Sequence, residues 1–485
     1  YFRQTPRAIA LAGFCVYHQR NQSERTITTD GKRTMATFKI TDALIEQIQQ
    51  LIEEKKNKEL TTLLSDLHYA DIAEVIHELD IEEGVYIIRL IDAQKTSDVL
   101  TELDDDYRDK ILEHLSAKEI ADEILELDTD DAVDIISELP EERKTEVISY
   151  IEDVEHAKDI VDLLRYDEHT AGGLMAKELV KVNENWNVLK CVKEMREQAA
   201  NVTRVHSIYV VDDNDVLKGR LSLKDLLTTS TRSEVKDIYI PKVDYVYVTD
   251  TAEEVAHIMS KYDLEAIPVV DEMKRLVGRI TIDDVVDVIK EEAEKDYQLA
   301  AGITHDVEAD DSVWKLTKAR LPWLLIGMFG GLGAASIING FQDTMNIYPI
   351  LLIFIPLIQA TAGNVGVQSS AIVVQGLANN SIDGEIIKRL LKEFLLGLIN
   401  GGTIAGIVIL VSHFAFQAEY LVSITVAIAL VTVIVNAAVI GTFIPILLHK
   451  RGIDPAVATG PFITTSNDVL GILIYFFIAK LILGF

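Results

Sequence analysis

The segment GPFITTSNDVLGILIYFFIAKLILGF, residues 460–485, is long and apolar enough to cross a bilayer, yet it holds one carboxylate, Asp468, near its middle. A helical crossing takes about 20 mostly apolar residues, and an Asp at its centre costs roughly 2.5–3.5 kcal/mol on insertion scales. At helical spacing from Asp468 stand Pro461, Thr464, Gly471 and Tyr475, which puts a hydroxyl above the carboxylate and a glycine below it. Asn467 adds an amide. Gly471 admits a second helix or a hydrated ion close to the backbone, and Pro461, lacking an N–H, leaves the carbonyl of residue 457 free. The stripe reads as a pore wall that presents a hard anionic ligand. The competing reading is an Asp that is protonated, or bonded to a neighbouring helix for assembly.

Toward the N-terminus hydrophobicity predicts four more spans, about 421–448, 394–416, 348–377 and 321–341, with the last at about 456–482. In the span at 348–377, TAGNVGVQ places Thr361, Asn364 and Gln368 on one face. Neutral oxygens and amides suit an ion that keeps its water, as Mg²⁺ does; they serve equally as glue between helices. The pairs Gly327/Gly331 and Gly397/Gly401 fit small-residue packing. Lys315, Lys318 and Arg320 precede the first span, Lys388, Arg389 and Lys392 separate the second from the third, and Lys450 and Arg451 the fourth from the fifth. The other two connections carry no Lys or Arg. Positive loops favour the cytoplasmic side, so the expectation is a multi-pass protein of the cell membrane with its N-terminal half inside and its C-terminus outside. Lys480 is left to snorkel to the outer interface.

From residue 321 on the chain has seven acidic and six basic residues, so nearly all of the net charge of −31 lies in the first 320. A surface this acidic repels phosphate backbones and attracts cations, which argues against a nucleic-acid partner. Cys15 and Cys191 are too few and too distant for a disulfide framework. Residues 1–36 form a basic leader ahead of the amphipathic pattern, read as disordered or as a non-native start. Residues 37–168 are rich in helix formers, and IAEVIHELDIEEGVYIIRL from Ile72 recurs as IADEILELDTDDAVDIISEL from Ile120, 48 residues on. Helix pairs stacked into a small superhelix follow from such a repeat. No Ser/His/Asp or metal-hydrolase arrangement occurs, so an enzyme has little support.

A second repeat has another character. IYVVDDNDVLKGRLSLKDLL from Ile208 aligns with IPVVDEMKRLVGRITIDDVV from Ile267, offset by 59, with Gly219 over Gly278 and Asp225 over Asp284. Strand, turn, glycine, strand and a Ser/Thr-x-x-Asp helix start resemble a tandem pair of cystathionine-β-synthase-type (CBS) domains, at 169–230 and 231–288. DDVVDVIKEEAEKDYQLAAGI then leads, as an acidic connecting helix over 289–318, to a transmembrane domain over 319–485. The expected fold is multidomain: an α-helical superhelical N domain, an α/β CBS pair, a long connecting helix and five transmembrane α-helices. Taken together these parts, and the segment DPAVATGPFITTSNDVLGILIYF above all, resemble the MgtE family of magnesium channels and transporters.

That resemblance implies a homodimer in the lipid bilayer in which the two copies of Asp468 bind hydrated Mg²⁺ on the twofold axis, with Asp454 at the cytoplasmic mouth and Thr464, Asn467, Gly471, Asn364 and Gln368 as further pore-lining candidates. It also implies that internal Mg²⁺ closes the channel through Glu253, Asp263, Asp284, Asp287, Glu292 and Asp296, with Asp128 and Asp131 on the helical domain. Lys295 stands where the family pattern has another carboxylate. For each acidic residue alone, a solvated face is the plain alternative. Ser222, Asp225 and Thr281 can hold the ribose of ATP or another adenosine nucleotide, as in CBS domains generally, or simply cap their helices. A membrane-anchored nucleotide or cation sensor, and a broader carrier of Co²⁺, Ni²⁺ or Mn²⁺, are the rival functions.

Overall fold

The computed structural model describes residues 40–202, 204–304, 307, 311–378, 382, 386–458 and 460–484. The leader assigned to residues 1–36 and Cys15 lie outside them. The chain divides into two units, up to Asp162 and from Leu163 onward.

The first unit is built of short helices: α1 (Asp42–Glu53), α2 (Asn57–Ser65), α3 (Tyr69–His77), α4 (Ile81–Ile88), α5 (Ala93–Thr101), α6 (Asp105–His114), α7 (Ala117–Ile124), α8 (Thr129–Glu138), α9 (Glu141–Tyr150) and α10 (Val154–Leu163). The 48-residue repeat appears as α3–α4 recurring in α7–α8. Capping boxes at Asp80/Glu83 and Ser116/Glu119 fix two of the starts, and each satisfies backbone donors that a helix start leaves open. The opposite ends are served from neighbouring helices. Tyr107 donates to the carbonyls of Ile76 and Leu79 at 2.8 and 2.7 Å, and Arg143 donates to those of Leu112, at 2.7 Å, and Leu115. Donors three helices further along thus satisfy carbonyls at the ends of α3 and α6, which lets helices of two to three turns stack over a core containing Ile72, Ile76, Ile87, Ile120, Ile124 and Ile136.

In the second unit the CBS-like repeat forms two copies of one sheet. β1 (Val180–Asn183) lies parallel to β2 (Ile208–Val211), which pairs antiparallel with β3 (Leu217–Leu221); β4 (Val246–Tyr247), β5 (Ala266–Val270) and β6 (Leu276–Thr281) repeat the order. Even the irregularity recurs, between Val210 and Val211 and between Val269 and Val270. Helices α11 (Val188–Gln198), α12 (Leu223–Thr228) and α13 (Ala252–Tyr262) complete the modules. The paired glycines have a shared physical cause: a Cβ on Gly219 would strike the carbonyl of Ile240, and one on Gly278 the side chain of Met175 and the carbonyl of Ala176. At both places a segment crosses the sheet edge, with Arg220 bridging Ile240 and Arg279 bridging Ala176.

From the second module runs α14 (Ile282–Ala301), opened by a Thr281/Asp284 capping box and closed by Gly302 in the left-handed region at φ 81°. The expected connecting helix over 289–318 is therefore helical from residue 282 and stops at this glycine. Beyond it lie α15 (Val313–Gly340), the short α16 (Gln342–Ile347), α17 (Leu351–Ala378), α18 (Ile386–Phe414), α19 (Tyr420–His449) and α20 (Gly460–Leu483). Among the described residues five of these, all but α16, are long and apolar enough to cross a membrane. The first and third start about eight residues earlier than hydrophobicity predicts, because Lys315, Lys318, Arg320, Lys388, Arg389 and Lys392 continue the helices instead of forming loops. Helix α19 packs on α17, α18 and α20. Gly397 and Gly401 face Val435 and Val431 of α19 at backbone distance, whereas Gly327 and Gly331 face nothing in the described protein; on α15 it is Gly330 that meets another helix, at Thr465.

Candidate ion path and its cytoplasmic mouth

Asp468 sits two turns into α20 and is half-buried. The structure divides the polar residues around it. Asn467 is 1% exposed and donates from Nδ2 to the carbonyl of Ala362 at 3.4 Å, over Gly366 of α17. Gly471 is buried too, with Val433, Ala362 and Ile358 within 3.3–3.7 Å of a would-be Cβ. Both therefore serve helix packing within the protomer, and the expectation that they line an opening is corrected: the close approach Gly471 permits is that of α17 and α19. Tyr475 also points inward, its hydroxyl donating to Leu351 O at 2.9 Å. Pro461 frees no carbonyl, because α20 begins at Gly460 and a first-turn proline has no helical partner to lose.

What remains on the open side is Asp468, half-buried Thr464, whose hydroxyl donates to Gly460 O at 2.9 Å, and the exposed amides Asn364 and Gln368 on α17. Two primary amides on the outer surface of a membrane helix need water or another protein surface, since lipid offers them no partner. Asp454 is exposed in the loop before the 3₁₀ turn Pro455–Ala458, its Oδ1 accepting from the Ala456 N–H at 2.7 Å.

The end of α14 abuts the head of α20. A Cβ on Gly302 would strike the ring of Pro461, the carbonyl of Ala300 lies against Gly460, and Thr304 bonds to Ala319 O on α15 through both its N–H and its hydroxyl at 3.1 Å. Connecting helix, first membrane helix and Asp468 helix meet at one point.

The acidic candidates are spread along this unit and do not form one ligand shell; among the described residues no three His, Cys, Asp or Glu side chains gather to hold a metal ion. Glu253, in the first turn of α13, shares a side-chain hydrogen bond with Glu292 of α14, and burial followed by that bond raises its pKa. The charge of Asp296 raises it further. Lys295 donates to Glu292 at 3.1 Å. Asp287 is exposed on α14, and Asp263 is the left-handed C-cap of α13, at φ 51°. Asp284 is committed elsewhere: its Oδ2 accepts from the N–H and hydroxyl of Thr281 at 3.0 and 2.7 Å, and burial pushes its pKa up to about 6. Asp128 is the N-cap residue of α8 and Asp131 stands in that helix's first turn.

Ser222 is the N-cap residue of α12, Asp225 lies in its first turn, and Thr281 is buried in its capping box. None of the three lines the cavity of about 60 Å³ between the modules, which is bounded by Ser207, Tyr209, Arg220, Lys242, Asp244 and Ala266 among others. Two cations facing a cavity in so acidic a half were visible in the sequence only as isolated basic residues. A second feature missed by sequence reading is Glu393, 4% exposed about two turns into α18, which pairs with Arg389 at 3.3 Å and accepts from Ser369 of α17 at 3.2 Å. Its i,i+4 spacing from Arg389 was the available signal, hidden by reading residues 388–392 as loop.

Three family models match the chain: a divalent cation transporter model, MgtE, over residues 355–478, the MgtE intracellular N domain over 67–169, and the CBS domain over 171–231 and 235–291. The chain is 35% identical to the magnesium transporter MgtE of Thermus thermophilus over 447 residues, covering 91% of this chain and 99% of that protein. It is 31% identical to the magnesium transporter MgtE of Bacillus subtilis over 439 residues, covering 90% and 97%. The crystal structure of the cytosolic domain of the Mg²⁺ channel MgtE in complex with ATP is 33% identical and superposes with a TM-score of 0.48, covering 50% of this chain and 99% of that one.

Proposed function

The chain belongs to the MgtE family of divalent cation transporters, and from that premise we propose that it is a Mg²⁺-selective channel for Mg²⁺ uptake, closed by Mg²⁺ on its cytoplasmic side. It is a multi-pass membrane transporter and not an enzyme. The observation that carries the reading is Asp468, a carboxylate kept at membrane depth on the part of α20 that its own protomer leaves partly open. Alone it is one ligand. A homodimer with α17 and α20 at the twofold axis would bring two such carboxylates together and cover Asn364 and Gln368. Two carboxylates, hydroxyls and amides around a hydrated ion match how Mg²⁺ is held, through few protein oxygens and retained water.

The basic residues at the helix ends support a cytoplasmic N-terminal half and an outer C-terminus. Gating is supported by α14, which starts in the capping box of the second module and ends against Gly460 and Pro461 at the head of the Asp468 helix. Shifting that module shifts the mouth. Mg²⁺ bridging Glu253 to Glu292 and Asp296, assisted by Asp287 and Asp263, would hold it in place; Asp284 contributes by fixing the start of α14. Asp128 and Asp131, on the helical domain, are proposed as regulatory Mg²⁺ ligands of that domain. A nucleotide such as ATP is the second ligand proposed, with Arg220 and Lys242 available to its phosphates and Asp244 to a hydroxyl. At about 60 Å³ the cavity must widen to admit it, since ligand sites run to roughly 300–1,000 Å³.

Growth of a Mg²⁺-uptake-deficient strain on low external Mg²⁺ tests the function. Expression of this chain should restore growth. Correct insertion without growth would favour a membrane-anchored sensor, and equal uptake of Co²⁺, Ni²⁺ or Mn²⁺ would replace selectivity with a broader specificity.

A further inference from the structure

Glu393 is a carboxylate buried among the membrane helices that no step of the proposed transport uses. Its Oε1 faces the guanidinium of Arg389 at 3.3 Å, one turn earlier on α18, and its Oε2 accepts from the hydroxyl of Ser369 on α17 at 3.2 Å. Helices α17 and α18 each pack along α19 far more than on each other, so this bond ties together two helices that packing leaves largely independent. Apolar residues of the same size are often no worse for stability than a buried ion pair, and packing alone gives no reason to keep one here. The neighbours of Ser369 supply a reason. Gln368 precedes it and is exposed, Asn364 is exposed one turn earlier, and Ser369 itself is buried. The inner face of α17 in this stretch is made of Ala362, Gly363 and Gly366, which let α19 and α20 come close but offer few side-chain atoms to resist a turn of the helix about its axis. A membrane helix that is apolar on most sides has no polar face to set that rotation.

We infer that Glu393, acting through Ser369, is a positioning residue for the ion path: it fixes the rotation of α17 at which Asn364 and Gln368 face the open side. Arg389 engages the other carboxylate oxygen and so aims Oε2 at α17. Successive residues of a helix point about 100° apart, so holding Ser369 against α18 turns Gln368 away from the protomer interior. The amide then stands where it can bond to the water that Mg²⁺ retains. Without the tie, α17 samples other rotations while staying folded, and the ion meets the amide for a smaller share of the time. Apparent affinity falls and the number of inserted channels does not. That consequence rests on the transport reading, whereas the rotation itself does not.

The test reads the external Mg²⁺ concentration at half-maximal uptake for full-length protein in proteoliposomes. Ser370→Ala is the control, because Ser370 is also buried and its hydroxyl has no hydrogen-bond partner among the described residues. Ser369→Ala should raise the half-saturating concentration roughly threefold, Glu393→Ala should match it, and Ser370→Ala should leave it unchanged. In a Gln368→Ala background, Ser369→Ala should add nothing further. A second measurement reads orientation without transport: Gln368→Cys, in a chain with Cys15 and Cys191 replaced by Ala, should react with a water-soluble cationic thiosulfonate roughly threefold more slowly once Ser369→Ala is added. A half-saturating concentration unchanged in Ser369→Ala, or raised equally in Ser370→Ala, would overturn the inference. So would full additivity with Gln368→Ala, or equal thiol reaction rates with and without Ser369→Ala. A wild type that takes up no Mg²⁺ would instead defeat the transport reading, while the reaction rates still decide whether Ser369 orients α17.

Discussion

Asn467 and Asp468 are adjacent in the chain and opposite in circumstance. The amide is buried against α17 and bonded to Ala362, while the carboxylate is half-buried toward the open side of the helix. Their variants should separate accordingly. Asp468→Asn keeps the shape and removes the field that attracts a dication, so Mg²⁺ flux should fall by roughly tenfold or more, the equivalent of ~1.4 kcal/mol, with the amount of folded protein in the membrane unchanged. Asn467→Ala should do the reverse, lowering the yield of folded protein by removing a buried hydrogen bond. Radiotracer or fluorescent-indicator uptake into proteoliposomes, normalised to inserted protein, distinguishes them; unchanged flux in Asp468→Asn would make that residue structural. Sequence spacing alone grouped Asn467 and Gly471 with Asp468 because a membrane helix is apolar on all sides. Without a polar face, nothing in the pattern says which side meets protein and which meets an opening.

Single elements show the same dependence on surroundings. On α7, Glu119 and Glu123 are one turn apart. Glu119 accepts from the N–H of Ser116 and pairs with Arg89, and with its hydrogen bonds to Ser116 outweighing burial its pKa falls to about 2; Glu123, pushed up by burial and then by Asp122 and Glu126, reaches about 7. The linkage signs follow. Glu119 contributes stability that is present above its ordinary pKa near 4.5 and is lost as pH falls toward 2. Glu123 binds its proton more tightly in the folded helix, so stability is lost as pH rises from about 4.5 through about 7. Glu123→Gln should remove that loss. In the intact protein, amides of α5 and α7 should exchange at equal rates in variant and wild type at pH 5, and roughly three- to tenfold more slowly in the variant at pH 8, a range discounted because Glu123 is only partly buried. A ratio near one at pH 8 would show the carboxylate to be well solvated. The helices themselves were legible, since the 48-residue repeat, Asp80/Glu83 and Ser116/Glu119 all act locally. Donation by Tyr107 and Arg143 to the ends of other helices was not, because it pairs residues about 30 apart through stacking alone.

Across the whole molecule charge is unevenly divided. Between residues 36 and 320 stand 68 acidic and 34 basic residues, and beyond 320 the two nearly balance. The acidic half repels itself, divalent cations relieve that repulsion in proportion to their concentration, and α14 reaches from the second module to Gly460 and Pro461 at the mouth. That polarity was readable from composition, whereas the meeting of Gly302 with Pro461 depends on where α14 stops, which helix-forming residues past the glycine concealed. Asp284 should be left intact in any test, because replacing it removes the cap of α14 along with its charge. The variant that isolates the cation response is Glu253→Gln with Glu292→Gln and Asp296→Asn, which preserves volume and hydrogen-bonding capacity. A ligand moves an equilibrium only by its differential affinity for the two states. If Mg²⁺ closes the channel by bridging α13 and α14, weakening the bridge should raise the cytoplasmic Mg²⁺ needed for half-closure in patch recordings, by roughly five- to tenfold. Neutralisation has an opposing consequence, because removing repulsion by itself favours approach of the two helices, and a channel closed at every Mg²⁺ concentration would mean that charge balance rather than bridging is sensed. Bridging is the expected outcome: an amide cannot join two helices through one shared dication, and Glu292 is already paired with Lys295 on its own helix. A half-closing concentration equal to that of wild type would remove this cluster from the proposed sensing mechanism while leaving the proposed role of Asp468 untouched.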